Sequence, residues 1–201
     1  MRHWKRFEIV TLLKRKKSYQ FVPKCSLFLL LLAFLHKKFI EIKMCDVTLQ
    51  MGTSLILSGP SSCGKTSFVN NLIKSRNTMF DRTIDNVYVV CSNIQELYNK
   101  LFKSGHIREL FYKMPSRNEI LELARINKPK GGAIIILDDL LTEISNSNLV
   151  IQELFTEIAH HNDFTVVLCV QNLFYKGGVY RTLSLNASYI IPFKHPRDEV
   201  N

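Results

Sequence analysis

The sequence contains no Cys-x-x-Cys pair and no cluster of cysteine with histidine. Its five cysteines, Cys25, Cys45, Cys63, Cys91 and Cys169, are odd in number and scattered. That distribution argues against a zinc site and for a reducing, intracellular compartment, nucleus and cytoplasm being left open. A long apolar run is also missing. Ser26 to Leu35 is ten residues with nine apolar, where a helix crossing a bilayer needs about 20. Membrane contact of residues 26–35 is therefore disfavoured, with a signal anchor or interfacial helix as the minority alternative. A secretory signal is disfavoured as well, because the segment before the run is long and basic and Lys37-Lys38 follows it in place of small residues. No internal repeat and no low-complexity segment occurs.

Acidic residues are scarce at the front of the chain. The whole has 27 Lys and Arg, 17 Asp and Glu and a formal charge of +10. Residues 1–48 hold 11 basic and 3 acidic residues, and residues 49–201 hold 16 and 14. The basic pI thus describes an N-terminal extension, residues 1–48, and not the domain at 49–201. Such a leader suits nucleic acid, an anionic membrane surface or plain solvation. It falls outside the functional protein if Met44 or Met51 is the true start. The 201 residues suffice for one α/β domain and little more.

From residue 51 onward apolar strands alternate with amphipathic helices, which predicts a mainly parallel sheet covered on both faces. The strands are read at Ser54–Leu57, Val87–Cys91, Ala133–Leu137, Thr165–Val170 and Tyr189–Phe193. Ser92 with Gln95, and Ser116 with Glu119, have capping-box spacing and predict helix starts. Val150, Ile151, Leu154, Phe155 and Ile158 mark a long helix face. The piece from Ile107 to Met114 is ambiguous.

Residues 59–66 read Gly-Pro-Ser-Ser-Cys-Gly-Lys-Thr, the pattern of a phosphate-binding loop. A buried strand leads in, and Phe68, Val69, Leu72 and Ile73 follow at helical spacing. Gly59 and Gly64 let the backbone curl until amides converge, with Pro60, Ser61, Ser62 and Cys63 between them. Lys65 is placed to reach the β- and γ-phosphates, Thr66 to set its hydroxyl on Mg²⁺, and Ser67 completes the segment. Cys63 is read as a small filler of the loop, with redox sensitivity beside the helix N-terminus and Lys65 as the alternative. Asn127-Lys128-Pro129-Lys130 lacks the Asp of a guanine-reading motif, so ATP is expected over GTP.

Ala133 to Asp139 is an apolar strand ending in two carboxylates. Asp138 is the natural Mg²⁺ partner at the carboxyl edge of the sheet. Asp139 is placed to polarise the attacking water, or alternatively to cap the next helix. A full strand falls between the loop and this strand, so an extra strand is expected between them in the sheet. Gln171, directly after the next strand, suits a sensor of the γ-phosphate, with turn formation as the alternative. His160-His161 reads as a helix end.

Gly59–Thr66, Ile-Leu-Asp138-Asp139-Leu and His160-His161-Asn162 resemble the viral DNA-packaging ATPases of the FtsK/HerA superfamily. So do Val170-Gln171-Asn172-Leu173-Phe174, Arg181-Thr182-Leu183-Ser184-Leu185-Asn186 and Pro196-Arg197-Asp198. The nearest variety is that of Polinton/Maverick and adintovirus-like elements, related to poxvirus-type packaging ATPases. The resemblance covers roughly residues 52–200 and is most specific from Gln171 to Asp198. It implies a three-layer α/β/α P-loop NTPase that forms a homo-oligomeric ring and drives double-stranded DNA into a capsid, with a portal vertex as a further partner. It carries Gln171 over as polar sensor and makes Arg181 and Arg197 candidate arginine fingers acting on a neighbour's site. Residues 1–48 have no counterpart in it, and relatives continue past Asp198, so a C-terminally truncated copy is expected. The rival readings are a small-molecule or nucleoside kinase and a catalytically inactive nucleotide-binding remnant.

Overall fold

The computed structural model describes residues 48–93, 95–140, 149–173 and 178–193. The apolar stretch 26–35, Arg197 and the block Pro196–Asp198 lie outside the described residues. The strands are β1 (Ser54–Ser58), β2 (Asn86–Cys91), β3 (Glu109–Phe111), β4 (Ala133–Asp138), β5 (Phe164–Val170) and β6 (Tyr189–Pro192). They pair in parallel throughout, in the order β3-β2-β4-β5-β1-β6. Every residue of β4 and β5 is buried, as central strands of a parallel sheet covered on two faces must be. Pro192 ends β6 at the sheet's edge, where its missing N–H costs no ladder bond.

The helices divide between the two faces. On one side α1 (Lys65–Lys74), α2 (Arg76–Met79) and α3 (Glu96–Lys103) pack Phe68, Val69, Leu72, Tyr98 and Leu101 against Leu55, Leu57, Val89, Ile136 and Val167. On the other side lie α4 (Arg117–Asn127), the helix spanning α5 (Leu149–Glu153) and α6 (Ala159–His161), and α7 (Gly178–Asn186). These bury Ile120, Ala124, Phe155, Tyr180 and Leu183 against Ile56, Tyr88, Ile135, Val166 and Leu168. Odd and even residues of each strand serve opposite cores, which is the period of two built into a strand. The architecture is the expected three-layer α/β fold.

Local signals explain the joints. Ser116 accepts from the Glu119 amide and Glu119 reaches back to the Ser116 amide, a complete capping box. Gly131 and Gly132 are both left-handed, at φ 86° and 95°. They carry the chain into β4 so close to Asp163 that a methyl on Gly132 would overlap that residue's carbonyl oxygen.

Two sequence expectations change, and a third is met by a particular strand. The Ser92–Gln95 capping box does not form: α3 begins at Glu96, Gln95 occupies its N-cap with no side-chain cap, and the Ser92 hydroxyl points elsewhere. An extra strand does stand between β1 and β4, and it is β5; β2 lies beyond β4. The long helix is not uniform, because Leu154–Ile158 between α5 and α6 is π-helical. The ambiguous piece contains β3, a three-residue edge strand.

Candidate active site

The loop from β1 to α1 is held at its start and curled at its end. The Gly59 amide donates to the Val170 carbonyl at 3.1 Å, which ties the loop to the end of β5. Gly59 has no room for a side chain: a Cβ there would lie 2.7 Å from Phe193 Cβ and 2.9 Å from Cys63 Sγ. Ser62 and Gly64 take left-handed backbone, φ 64° and 106°, and these turn the chain back on itself. Lys65 folds over the ring so formed and its ammonium donates to the carbonyls of Gly59 at 2.5 Å and Pro60 at 2.7 Å. Cys63 Sγ is 3.8 Å from the same nitrogen.

Gly64 caps α1 without a side-chain bond, and no acidic residue occupies the first turn. The first-turn amides of a helix have no intrahelical acceptor, so the positive end of α1 is left without a counter-charge from its own first turn. Ser61, Ser62 and Ser67 are exposed; Pro60, Cys63, Gly64, Lys65 and Thr66 are half-buried. An anionic group suits this set of donors.

One row of Cα partners crosses the sheet at its carboxyl end. Cys91 faces Asp138, Asp138 faces Cys169, Cys169 faces Leu57, and Leu57 faces Ile191. Leu57 lies two residues before Gly59, so the acidic strand tip and the loop leave the sheet from the same edge. Asp138 is buried, and Tyr98 of α3 donates its hydroxyl to Asp138 Oδ2 at 2.6 Å. Asp139 is exposed and left-handed, φ 55°, a backbone state that Asp tolerates better than most residues. Its carbonyl accepts from Ser92 Oγ at 3.2 Å.

The electrostatics follow from this packing. Burial, then the neighbouring Asp138 carboxylate, holds the Cys169 thiol well above its ordinary range, while Lys65 pulls it down. Cys169 thus lies within electrostatic reach of both the loop lysine and the strand-tip acid. Burial, then Asp138 and Asp139, pushes the Cys91 thiol up to about 11. Burial, followed by Asp138, raises the Tyr98 phenol far above its usual value. All three groups are protonated at neutral pH.

Gln171 is exposed on the bend directly after β5, next to the Val170 carbonyl that holds Gly59. The fold therefore gathers Gly59–Ser67, Asp138, Asp139 and Gln171 at one edge. Arg181 is exposed on α7, in the layer opposite α1. The segment after Asp139 that would test its role as a helix cap lies outside the described residues. Tyr98 and Ser92 are the two residues that the sequence did not assign to the site, Ser92 having been read only as a helix cap. Helical spacing marks Tyr98 as buried beside Leu101, but nothing local aims it at a carboxylate 40 positions away. A carboxylate and a hydroxyl, Asp138 and Thr66, are hard oxygen donors of the kind Mg²⁺ takes alongside phosphate oxygens.

No protein-family model and no curated protein sequence matches the chain. Among solved structures, its fold is similar to that of a KaiC-like protein from the hyperthermophilic archaeon Pyrococcus horikoshii OT3. The TM-score is 0.50 and the identity 17%, over 71% of each chain. The chain has a P-loop NTPase fold. Thermomonospora curvata EccC (ATPases 2 and 3), solved with a signal sequence peptide, aligns at a TM-score of 0.48 and 10% identity. That alignment takes in 82% of this chain and 33% of EccC, so the chain spans about a third of EccC's length. In a P-loop NTPase fold the β1–α1 loop and the β4 tip are where a nucleotide binds, and both carry the expected residue types here.

Proposed function

We propose that this protein binds and hydrolyses ATP with Mg²⁺, as a double-stranded DNA packaging or translocating motor of viral or transposon origin. The observation that carries the ATPase reading is the convergence on one sheet edge of the curled loop, Lys65 and the Asp138-Asp139 tip. The motor reading rests on the blocks at Val170–Phe174, Arg181–Asn186 and Pro196–Asp198, which resemble packaging ATPases of the FtsK/HerA superfamily.

Each residue has a task in this reading. Lys65 and the amides of residues 61–66 bind the triphosphate, and Lys65 counters charge on its outer oxygens. Thr66 and Asp138 would hold Mg²⁺, which when bound draws charge from the phosphate oxygens. Asp139, exposed at the strand tip, takes the proton from the attacking water. Gln171 orients that water and reports the state of the γ-phosphate. Arg181 of an adjacent subunit completes the charge balance in a ring.

ATP turnover by the full chain, with and without double-stranded DNA, tests this reading. Wild type should turn over and be stimulated by DNA. Lys65→Ala should lose nucleotide binding. Asp139→Asn should still bind ATP while its turnover falls about 100-fold or more. Equal, negligible rates for all three proteins, with ATP still bound by wild type, would remove the motor and leave a binding remnant. Phosphoryl transfer to a nucleoside in place of hydrolysis would favour a kinase.

A further inference from the structure

Two bonds reach the β4 tip from the chain around the start of α3: one from Ser92, directly after β2, and one from Tyr98, in the first turn of α3. Tyr98 donates to Asp138 Oδ2 at 2.6 Å, and Ser92 donates to the Asp139 carbonyl at 3.2 Å. The Tyr98 ring is fully buried within the α1–α3 core, and Asp138 is 7% exposed. The phenol donor and the carboxylate acceptor are both shut away from water, so water cannot replace the bond.

A carboxylate turns easily about its last torsion, which is broad and two-fold. A short, buried bond to one oxygen removes that freedom and leaves Oδ1 pointing in a fixed direction. The donor is held in place, because its ring is fully buried in the core that also contains Leu101 and the strand residues Val89 and Ile136. We infer that Tyr98 is a positioning residue: it fixes the Asp138 carboxylate so that Oδ1 is presented to the divalent cation of the nucleotide site. This inference rests on the ATP-binding reading above. It makes α3 part of the metal-binding machinery, although no residue of α3 belongs to the phosphate loop or the acidic strand. Partners that orient a metal ligand from behind govern metal affinity and activity by about 10- to 100-fold.

The test is a Mg²⁺ titration of the full chain with a fluorescent ATP analogue, read as binding, and a parallel titration of turnover. Tyr98→Phe keeps the ring and removes the donor. Tyr98→Met is a second apolar side chain without a donor. Leu101→Ala loosens the same helix without touching Asp138. Both Tyr98 variants should need about tenfold more Mg²⁺ for half-maximal binding and turnover, with metal-free nucleotide affinity unchanged. Leu101→Ala should lower the melting temperature and leave the Mg²⁺ midpoint in place. An unshifted midpoint in Tyr98→Phe would overturn the inference. An equal shift in Leu101→Ala would also overturn it, because Tyr98 would then be ordinary packing. A wild-type chain that binds no ATP analogue at any Mg²⁺ level defeats the ATP-binding reading itself, and the inference falls with it.

Discussion

Asp138 and Cys169 are Cα partners across the boundary of β4 and β5, and this pairing sets the geometry of the site. Cys169 is in turn the partner of Leu57 on β1. With neighbouring strands about 4.8 Å apart, the acidic tip stands two strand spacings from the strand that feeds the phosphate loop. β5 fills the gap, and its last residue, Val170, holds the first amide of the loop. The loop, Gln171 and the acid are therefore registered to one another by backbone pairing, before any side chain is considered.

Gly59→Ala tests the loop. The added methyl would come within 3.0 Å of both Phe193 Cβ and Cys63 Sγ, distances that force a shift. Overpacking of this kind costs about 1–3 kcal/mol, and here it acts on the segment whose carbonyl holds the Lys65 ammonium. The variant should melt lower and bind ATP more weakly. Cys63→Ala added to it should recover part of the loss by freeing one of the two contacts. Calorimetry and analogue binding on both proteins check this.

Cys91 predicts a pH dependence of stability. Its folded thiol is pushed up to about 11 from an ordinary value of 9.0. The folded state therefore holds the proton more tightly than the unfolded chain does. The contribution is fully present below pH 9.0 and is lost as pH climbs toward about 11. Urea midpoints measured from pH 8 to 11 should fall across that window, and fall less steeply in Cys91→Ala. Parallel curves for the two proteins would contradict the prediction. The Tyr98 phenol, also raised, adds a decline of the same sign at the alkaline end.

What the sequence revealed was local, and what it hid was long-range. The octet at 59–66, the strand ending in Asp138-Asp139 and the Ser116–Glu119 cap each lie within one contiguous stretch, so their residue types suffice to identify them. Ser92 shows the limit. It has cap spacing to Gln95, but the helix begins at Glu96, and the hydroxyl instead donates to the Asp139 carbonyl at the end of the neighbouring strand. Tyr98 shows the same limit, because its partner is chosen by the placement of β2 beside β4 and not by its neighbours in sequence. β3 is too short to show a period, and only its pairing with β2 makes it a strand.

Asn127 provides a control far from the chemistry. It is buried at the amino end of the sheet, accepts from Asn86 at 2.6 Å, and donates to the Tyr88 hydroxyl at 3.0 Å and the Leu123 carbonyl at 2.6 Å. Asn127→Ala leaves these partners without it and should cost about 1–3 kcal/mol, read as a lower melting temperature. ATP affinity and the Mg²⁺ midpoint should not move, since the opposite ends of β2 and β4 carry Cys91 and Asp138. A changed Mg²⁺ midpoint in this variant would mean that general loosening of the sheet reaches the site, which would weaken any specific role for Tyr98.

Arg181 is the residue whose proposed role depends most on assembly. It is exposed on α7, in the layer opposite α1. A charge in that place contributes little to stability as a surface group, but it suits a finger offered to the next subunit of a ring. Arg181→Ala alone should leave folding and ATP binding near wild type and cut turnover about 1,000-fold if it acts as such a finger. Mixing is the sharper measurement. An Arg181→Ala subunit retains a competent loop, and a Lys65→Ala subunit retains a competent arginine. Interfaces that join the intact loop of the first to the intact arginine of the second should regain turnover that neither variant shows alone. A mixed ring that assembles, verified by mass, and still shows no recovery would place Arg181 outside the reaction.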